Sequence, residues 1–235
     1  YDSIYDRWMP EPSAARYQFL EIGYYNGEGF DAFSEFLPNA EAHSMEVSCL
    51  PPGNAKDAGG FWVEWPWGNF ARKNKRWEAL VAERRLHCGD ASSYDFLHAT
   101  WTTHMRRPGA PPLMAVVDDG SHIASQMVAT VFFWFPRIEP GGVLVVEDIQ
   151  PTEQANPFRA KFLPQMYHDL HFCGNPSDKV QDVERFPTLR PLLKSIHCEL
   201  HICVFERNGA PARRRAVQRA VMTASAAAQV ATAAT

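Results

Sequence analysis

A chain of 235 residues with 46% hydrophobic and 21% charged side chains can bury one full core but not two comfortable ones. Its formal net charge of −4 and pI near 6.1 provide no basic surface for nucleic acid, and no apolar run reaches the roughly 18 residues of a membrane span. The cysteines Cys49, Cys88, Cys173, Cys198 and Cys203 form no CxxC pair and no regular spacing, so free, mostly buried thiols are expected and, with them, a cytoplasmic setting.

The first residue is Tyr1 and not Met, which implies an upstream segment whose nature, a targeting signal included, is not legible. Residues 1–12 are aromatic and end in Pro10 and Pro12, as in an entry segment packed over a core edge. Tyr17–Ile22 has a strand pattern, closed by Gly23 and a turn-rich run over 24–29. Phe30, Phe33, Phe36 and Leu37 recur at helical spacing and predict a helix over 30–37, stopped by Pro38-Asn39. A short strand over 43–47 carries Glu46 near its end.

The stretch 51–76 behaves differently, with Pro51-Pro52-Gly53, Gly59-Gly60, Trp62, Trp65 and Trp67 and no period. That is long for a connection in a compact domain, so it reads either as an insertion able to cover a ligand or as a tryptophan-anchored surface loop. A helix over 77–86 then precedes a strand over 86–90 that ends in Asp90, and a further helix covers 95–105. Pro108, Pro111 and Pro112 reset the chain before a strand over 113–117. Ser121 is placed to cap a helix over 122–135, and Pro140-Gly141-Gly142 turns into a strand at Val143–Val146.

A helix is predicted over 160–170. Ile196, Cys198, Leu200, Ile202 and Val204 alternate as on one strand over 195–205, whose other face carries His197, Glu199 and His201; these read as the polar side of that strand. His168 and His171 receive no role. Residues 209–235 are an Arg- and Ala-rich low-complexity tail, peripheral to a domain over 1–208. Strand and helix alternate over 17–150, which predicts an α/β, Rossmann-like doubly wound, mainly parallel sheet with helices on both faces.

Two of these strands end in acids. Val116-Val117-Asp118-Asp119-Gly120-Ser121-His122 and Gly141-Gly142-Val143-Leu144-Val145-Val146-Glu147-Asp148 flank one helix, so they form a βαβ unit with parallel strands. Both acid clusters therefore reach the same sheet edge, where open α/β sheets bind ligands. Carboxylates gathered there repel unless a proton or cation neutralises them.

The first strand and its turn supply Glu21, Gly23, Gly27 and Gly29 in an E-x-G-x-x-x-G-x-G pattern. Glycines let backbone pass close to a ligand, and the next helix aims free N–H groups at it. Glu46, about 20 residues past that turn, stands where α/β nucleotide sites grip ribose hydroxyls, and Asp90 would stand beside the base. The spacing is not the G-x-G-x-x-G of a dinucleotide fold, and Glu21 before the glycine suits a cationic ligand without phosphate, which favours S-adenosylmethionine. The absence of a YxxxK-like pair speaks against a nicotinamide-dependent dehydrogenase or epimerase. The intact acid set speaks against a non-catalytic methyltransferase-like binding protein.

Leu20-Glu21-Ile22-Gly23, Asp118-Asp119-Gly120-Ser121-His122 and Pro140-Gly141-Gly142-x-x-x-x-Glu147-Asp148 resemble the class I S-adenosylmethionine-dependent methyltransferases of the macrocin and mycinamicin O-methyltransferase type, with the related cephalosporin hydroxylase group. The resemblance runs from residue 1 to about 153. It implies a seven-stranded sheet with an antiparallel last strand and Mg²⁺-assisted methylation of a sugar hydroxyl. It places Glu21 and Gly23, with Tyr24, Asn26 and Gly27, at the methionine part of the cofactor, Glu46 at the ribose and Asp90 at the adenine. Asp119, Glu147 and Asp148 would hold Mg²⁺ or another hard divalent cation, with Asp118 as a neighbour on the cofactor side or an alternate ligand. The base that takes the hydroxyl proton would be His122 or Asp119.

No long substrate domain follows the last predicted strand. The acceptor therefore stays open among a glycan, a lipid-linked sugar and a small phenolic compound. A homo-oligomer is compatible with all of this.

Overall fold

The computed structural model describes residues 2–10, 15–49, 71, 74–172 and 183–209. Most of the 51–76 insertion, Cys173 and the tail beyond 209 lie outside the described residues. Seven strands form one sheet: β1 (Tyr17–Ile22), β2 (Ala40–Glu46), β3 (Leu86–Cys88), β4 (Leu113–Asp118), β5 (Val143–Val146), β6 (Leu193–Glu199) and β7 (Ile202–Arg207). Their order is β3-β2-β1-β4-β5-β7-β6. The first five pair in parallel, and β7 runs antiparallel to both its neighbours.

The helices are α1 (Asp2–Trp8), α2 (Glu28–Phe36), α3 (Trp77–Ala82), α4 (Tyr94–Thr100), α5 (Ala124–Trp134) and α6 (Leu163–His171). Strand alternation divides the core into two layers. Leu20, Ile22, Val116, Leu144 and Val146 pack with Leu97, Met127, Val131, Trp134 and Met166, so α4, α5 and α6 cover one face. Phe19, Ala115, Val117, Val143 and Val145 pack with Ile4, Phe30 and Leu80, so α1, α2 and α3 cover the other. Both faces are dry, which is why the central strands read as continuous apolar runs.

Register positions the site. Glu21 stands beside Val117 and Ile22 beside Asp118, while Val117 stands beside Val145 and Asp118 beside Val146. The residues that follow each strand, Gly23, Asp119 and Glu147, therefore emerge level at the carboxyl edge. The chain leaves β1 toward β2 on one side and returns to β4 on the other, so this edge is the switch point where doubly wound sheets take ligands.

Three sequence expectations are corrected. Residues 195–205 are not one strand but the antiparallel pair β6 and β7. Their turn, Leu200-His201, lacks the Gly or Asn that marks a hairpin, and His201 takes the left-handed conformation itself, at φ 65°. His197, Glu199 and His201 consequently do not share one strand face. Ser121 does not cap α5 either: its Oγ accepts from the Ile123 N–H at 3.4 Å, and the helix starts at Ala124 with no side-chain cap.

The cysteine reading also fails. Cys49 is bonded to Cys88 and Cys198 to Cys203, with Cα separations of 5.4 and 4.1 Å. Each pair is brought together by strand neighbours that sequence spacing does not reveal, and the thiol argument for a cytoplasmic setting goes with it. The aromatic entry segment does pack over the core, with Ile4 and Met9 buried, and it does so as a helix.

Candidate active site

The turn after β1 and the turn after β4 touch. Gly23 lies at φ 102°, and a β-carbon on it would fall 2.3 Å from the Asp119 carbonyl oxygen. Gly27 also lies left-handed, at φ 83°, and opens α2, whose first N–H groups face this edge. The glycine turn is therefore shaped by close backbone approach, and it sets the cofactor half directly against the acid half.

Glu21 is buried, and its Oε2 accepts a hydrogen bond from Ser44 Oγ at 2.8 Å. Burial pushes its pKa up to about 8, the Ser44 bond opposes, and Asp119, Glu46 and Asp31 add repulsion. A cation arriving at this carboxyl would be met by a group that can ionise in response. Glu46 accepts from the Tyr25 N–H through Oε2 and from the Ser48 N–H through Oε1, each at 2.7 Å. Those bonds fix its plane and leave one lone pair on each oxygen for a diol.

Asp90 Oδ1 accepts from Ser92 N–H at 2.8 Å and from its Oγ at 2.7 Å, so this acid also holds the turn that leads to α4. Asn26 Oδ1 accepts from the Glu28 N–H at 3.2 Å and shapes the glycine turn. The Tyr24 ring is 1% exposed, packs on Phe30 and brings its hydroxyl against Gly27, where a β-carbon would fall 2.4 Å from it. Asp118 is likewise turned inward. Burial raises its pKa, while Thr130 and the Gly120 N–H donate to it, so it braces the Asp119 turn.

On the acid side, one ligand atom each from Asp119, His122 and Asp148 lies within 4.8 Å of the others. Partial desolvation pushes Asp119 up to about 6; His122 opposes, and Asp148 and Asp118 reinforce the shift. His122 Nε2 lies 3.6 Å from Asp148 Oδ2, while His122 Nδ1 is buried without a hydrogen-bond partner among the described residues. Glu147 stands outside this group. Glu147 is buried, and burial followed by repulsion from Asp148 pushes it up to about 7.

His122 at φ 56° and Asp148 at φ 50° are both left-handed. Such strain costs on the order of 1–3 kcal/mol per residue and concentrates at functional sites. Sequence reading missed Ser44, Thr130 and the hairpin tip, since only pairing across strands brings them here. His122 stood out as a candidate base from its position after the acid run, but its left-handed φ carries no glycine signal.

No protein-family profile matches the chain. A 75-residue stretch, 28% of the chain, is 51% identical to the 8-demethyl-8-alpha-L-rhamnosyl tetracenomycin-C 2'-O-methyltransferase of Streptomyces olivaceus, and covers 20% of that protein. The MycE methyltransferase from the mycinamycin biosynthetic pathway, solved with Mg and SAH, matches over 88% of this chain and 49% of its own, with TM-score 0.56 and 16% identity. MycE with Mg, SAH and mycinamycin VI matches over 88% and 48%, again with TM-score 0.56 and 16% identity. The chain thus spans about half the length of MycE. The sheet order, the glycine turn and these similarities establish the chain as a protein of the class I methyltransferase fold that resembles the sugar O-methyltransferases.

Proposed function

We propose that the chain is the catalytic domain of an S-adenosylmethionine-dependent, Mg²⁺-assisted O-methyltransferase acting on a sugar hydroxyl of a glycoside. The observation that carries this reading is the contact between the Gly23 turn and Asp119, which joins a cation-accepting carboxyl, Glu21, to the Asp119, His122 and Asp148 group. S-adenosylmethionine would supply an electrophilic methyl on a sulfonium, with no further cofactor chemistry needed. The names of the Streptomyces olivaceus relative and of MycE support the sugar acceptor and the ion.

The acid group fits a hard divalent cation. Asp148 raises the cost of ionising Asp119, and a cation between carboxylates removes that cost. Asp119 and Asp148 would hold it, and it would lower the pKa of an acceptor hydroxyl and orient it. An imidazole is a poor ligand for so hard an ion, which leaves His122 for proton transfer. Its Nε2 faces Asp148, and that carboxylate would stabilise the imidazolium once the proton is taken.

Glu21, Gly23, Asn26 and Gly27 would hold the methionine part, with the Tyr24 backbone beside them. Glu46 would take the ribose and Asp90 the adenine edge. Asp118 braces the end of β4. Positioning of the hydroxyl in line with the methyl then accounts for much of the rate. The test is transfer of labelled methyl from S-adenosylmethionine to a panel of rhamnosides and other glycosides with Mg²⁺ present. Transfer to a hydroxyl that stops on chelation supports the reading, and transfer to an amine or to no glycoside contradicts it.

A further inference from the structure

The Cys49–Cys88 bond joins the ends of β2 and β3 beside the residues assigned to the nucleoside half of the cofactor. Cys49 lies three positions past Glu46, and Asp90 lies two positions past Cys88. We infer that this bond is a redox-sensitive clamp on Glu46, whose reduction by a dithiol weakens S-adenosylmethionine binding. The inference rests on the methyltransferase reading for the identity of the cofactor and adds a means of controlling it.

The clamp matters because little else holds β3. That strand has three residues at the edge of the sheet, and its last pair sets Cys88 beside Glu46. Short elements with few partners open first in local fluctuations. Past that pair the Gly89 N–H donates to the Glu46 carbonyl at 2.9 Å, and Cys49 Sγ lies 3.3 Å from the same oxygen. The cystine therefore meets the Glu46 main chain where the β2–β3 ladder ends.

The main chain in turn sets the carboxylate. Glu46 Oε1 accepts from the Ser48 N–H and Oε2 from the Tyr25 N–H, each at 2.7 Å. Ser48 adjoins Cys49, so its N–H keeps its direction only while residues 47–49 hold their turn. Opening the bond releases this donor and leaves the Tyr25 N–H in place. With one of its two donors gone, the carboxylate is free to rotate away from a ribose diol, and binding must then pay the cost of ordering it.

The exchange chemistry balances. Cys49 is buried, while Cys88 is partly exposed, so the Cys88 sulfur is the one a reductant reaches. One thiolate of the dithiol attacks it, forms a mixed disulfide and expels Cys49, which takes up a proton. The second thiol then closes the reductant's own disulfide and frees Cys88. Two electrons and two protons pass to the chain, and the dithiol leaves oxidised. The Cys198–Cys203 bond, between β6 and β7 at the opposite side of the sheet, takes no part.

The test uses the Cys198→Ser/Cys203→Ser chain, oxidised and then reduced with dithiothreitol. In nitrogen–proton NMR spectra, the Ser48 amide proton, held downfield by its bond to a carboxylate, should move upfield on reduction while the β1 and β4 resonances stay in place. Calorimetry should show S-adenosylmethionine bound about tenfold more weakly by the reduced chain, with affinity restored by oxidised glutathione. Adding Glu46→Ala should weaken binding equally in both redox states, because the clamp acts through that side chain. Affinities within about twofold of one another in the two states, or a tenfold loss that persists in Glu46→Ala, overturn the inference and leave the bond a staple of the fold. A moved Ser48 resonance in a chain that binds S-adenosylmethionine in neither state would sustain the clamp on Glu46 and remove the methyltransferase reading. Should the double variant not fold, the unmodified chain serves, with the opened cysteines mapped by alkylation and mass spectrometry.

Discussion

The α-carbon of Gly23 lies so close to the backbone of Asp119 that a β-carbon would sit 2.3 Å from the Asp119 carbonyl oxygen and 2.9 Å from the Gly120 Cα. Backbone lies on both sides of this contact, so neither side can yield by a rotamer change. Gly23→Ala should therefore cost about 2–4 kcal/mol in urea unfolding, from the clash and from the positive φ together. Gly109→Ala also starts from a positive φ, but with nothing within 4 Å. It should cost only about 1 kcal/mol. Equal costs would mean that the two turns do not meet.

Glu21 sets a pH dependence. Its folded pKa is raised from 4.5 to about 8, so between those values the folded chain binds a proton that the unfolded chain releases. Stability from this group is present at low pH and falls as pH rises through the window, by on the order of 1.4 kcal/mol per pH unit. His87 acts in the opposite sense, because burial lowers its pKa from 6.5 to about 3. Its contribution is lost as pH falls, and it is common to wild type and Glu21→Gln. The difference in unfolding free energy between those two chains should therefore fall steadily from pH 5 to pH 8. A difference flat with pH would show that Glu21 is not held neutral.

Asp148→Ala and His122→Ala should separate two roles. The first should abolish Mg²⁺-dependent turnover while S-adenosylmethionine affinity stays within a few fold. The second should keep the metal response and lower kcat by about 10²–10⁴. Collapse of cofactor affinity in Asp148→Ala would assign the acids to the cofactor instead.

The doubly wound parallel class, the glycine turn, Glu46 and the acid-ended βαβ unit were legible because each rests on local patterns: apolar runs, a turn composition, a carboxylate at a strand end. The rest depended on neighbours distant in sequence. Nothing in the spacing of Cys49 and Cys88 says that β2 and β3 pair, and nothing in Leu200-His201 announces a turn. His122 was legible as a candidate base, but its left-handed φ, and the grouping of Asp119 and Asp148 with it and without Glu147, were not.

The disulfides make a separate prediction. The unfolded, unreduced chain should titrate one thiol, Cys173 being the cysteine outside the two pairs, and the reduced chain five. Chain-entropy arguments give about 4 kcal/mol for the Cys49–Cys88 closure of 39 residues and about 2 kcal/mol for the Cys198–Cys203 closure of 5. Reduction should lower the urea midpoint accordingly. Five thiols without reduction would overturn both bonds.

The central claim is that the glycine turn and the acid group form one site for a sulfonium cofactor and a hard cation. Calorimetric titration with S-adenosylmethionine and with NAD, each with and without Mg²⁺, tests it most directly. S-adenosylmethionine should bind saturably at one site, with NAD showing no heat. Tight NAD binding, or no heat with S-adenosylmethionine under either condition, would contradict it.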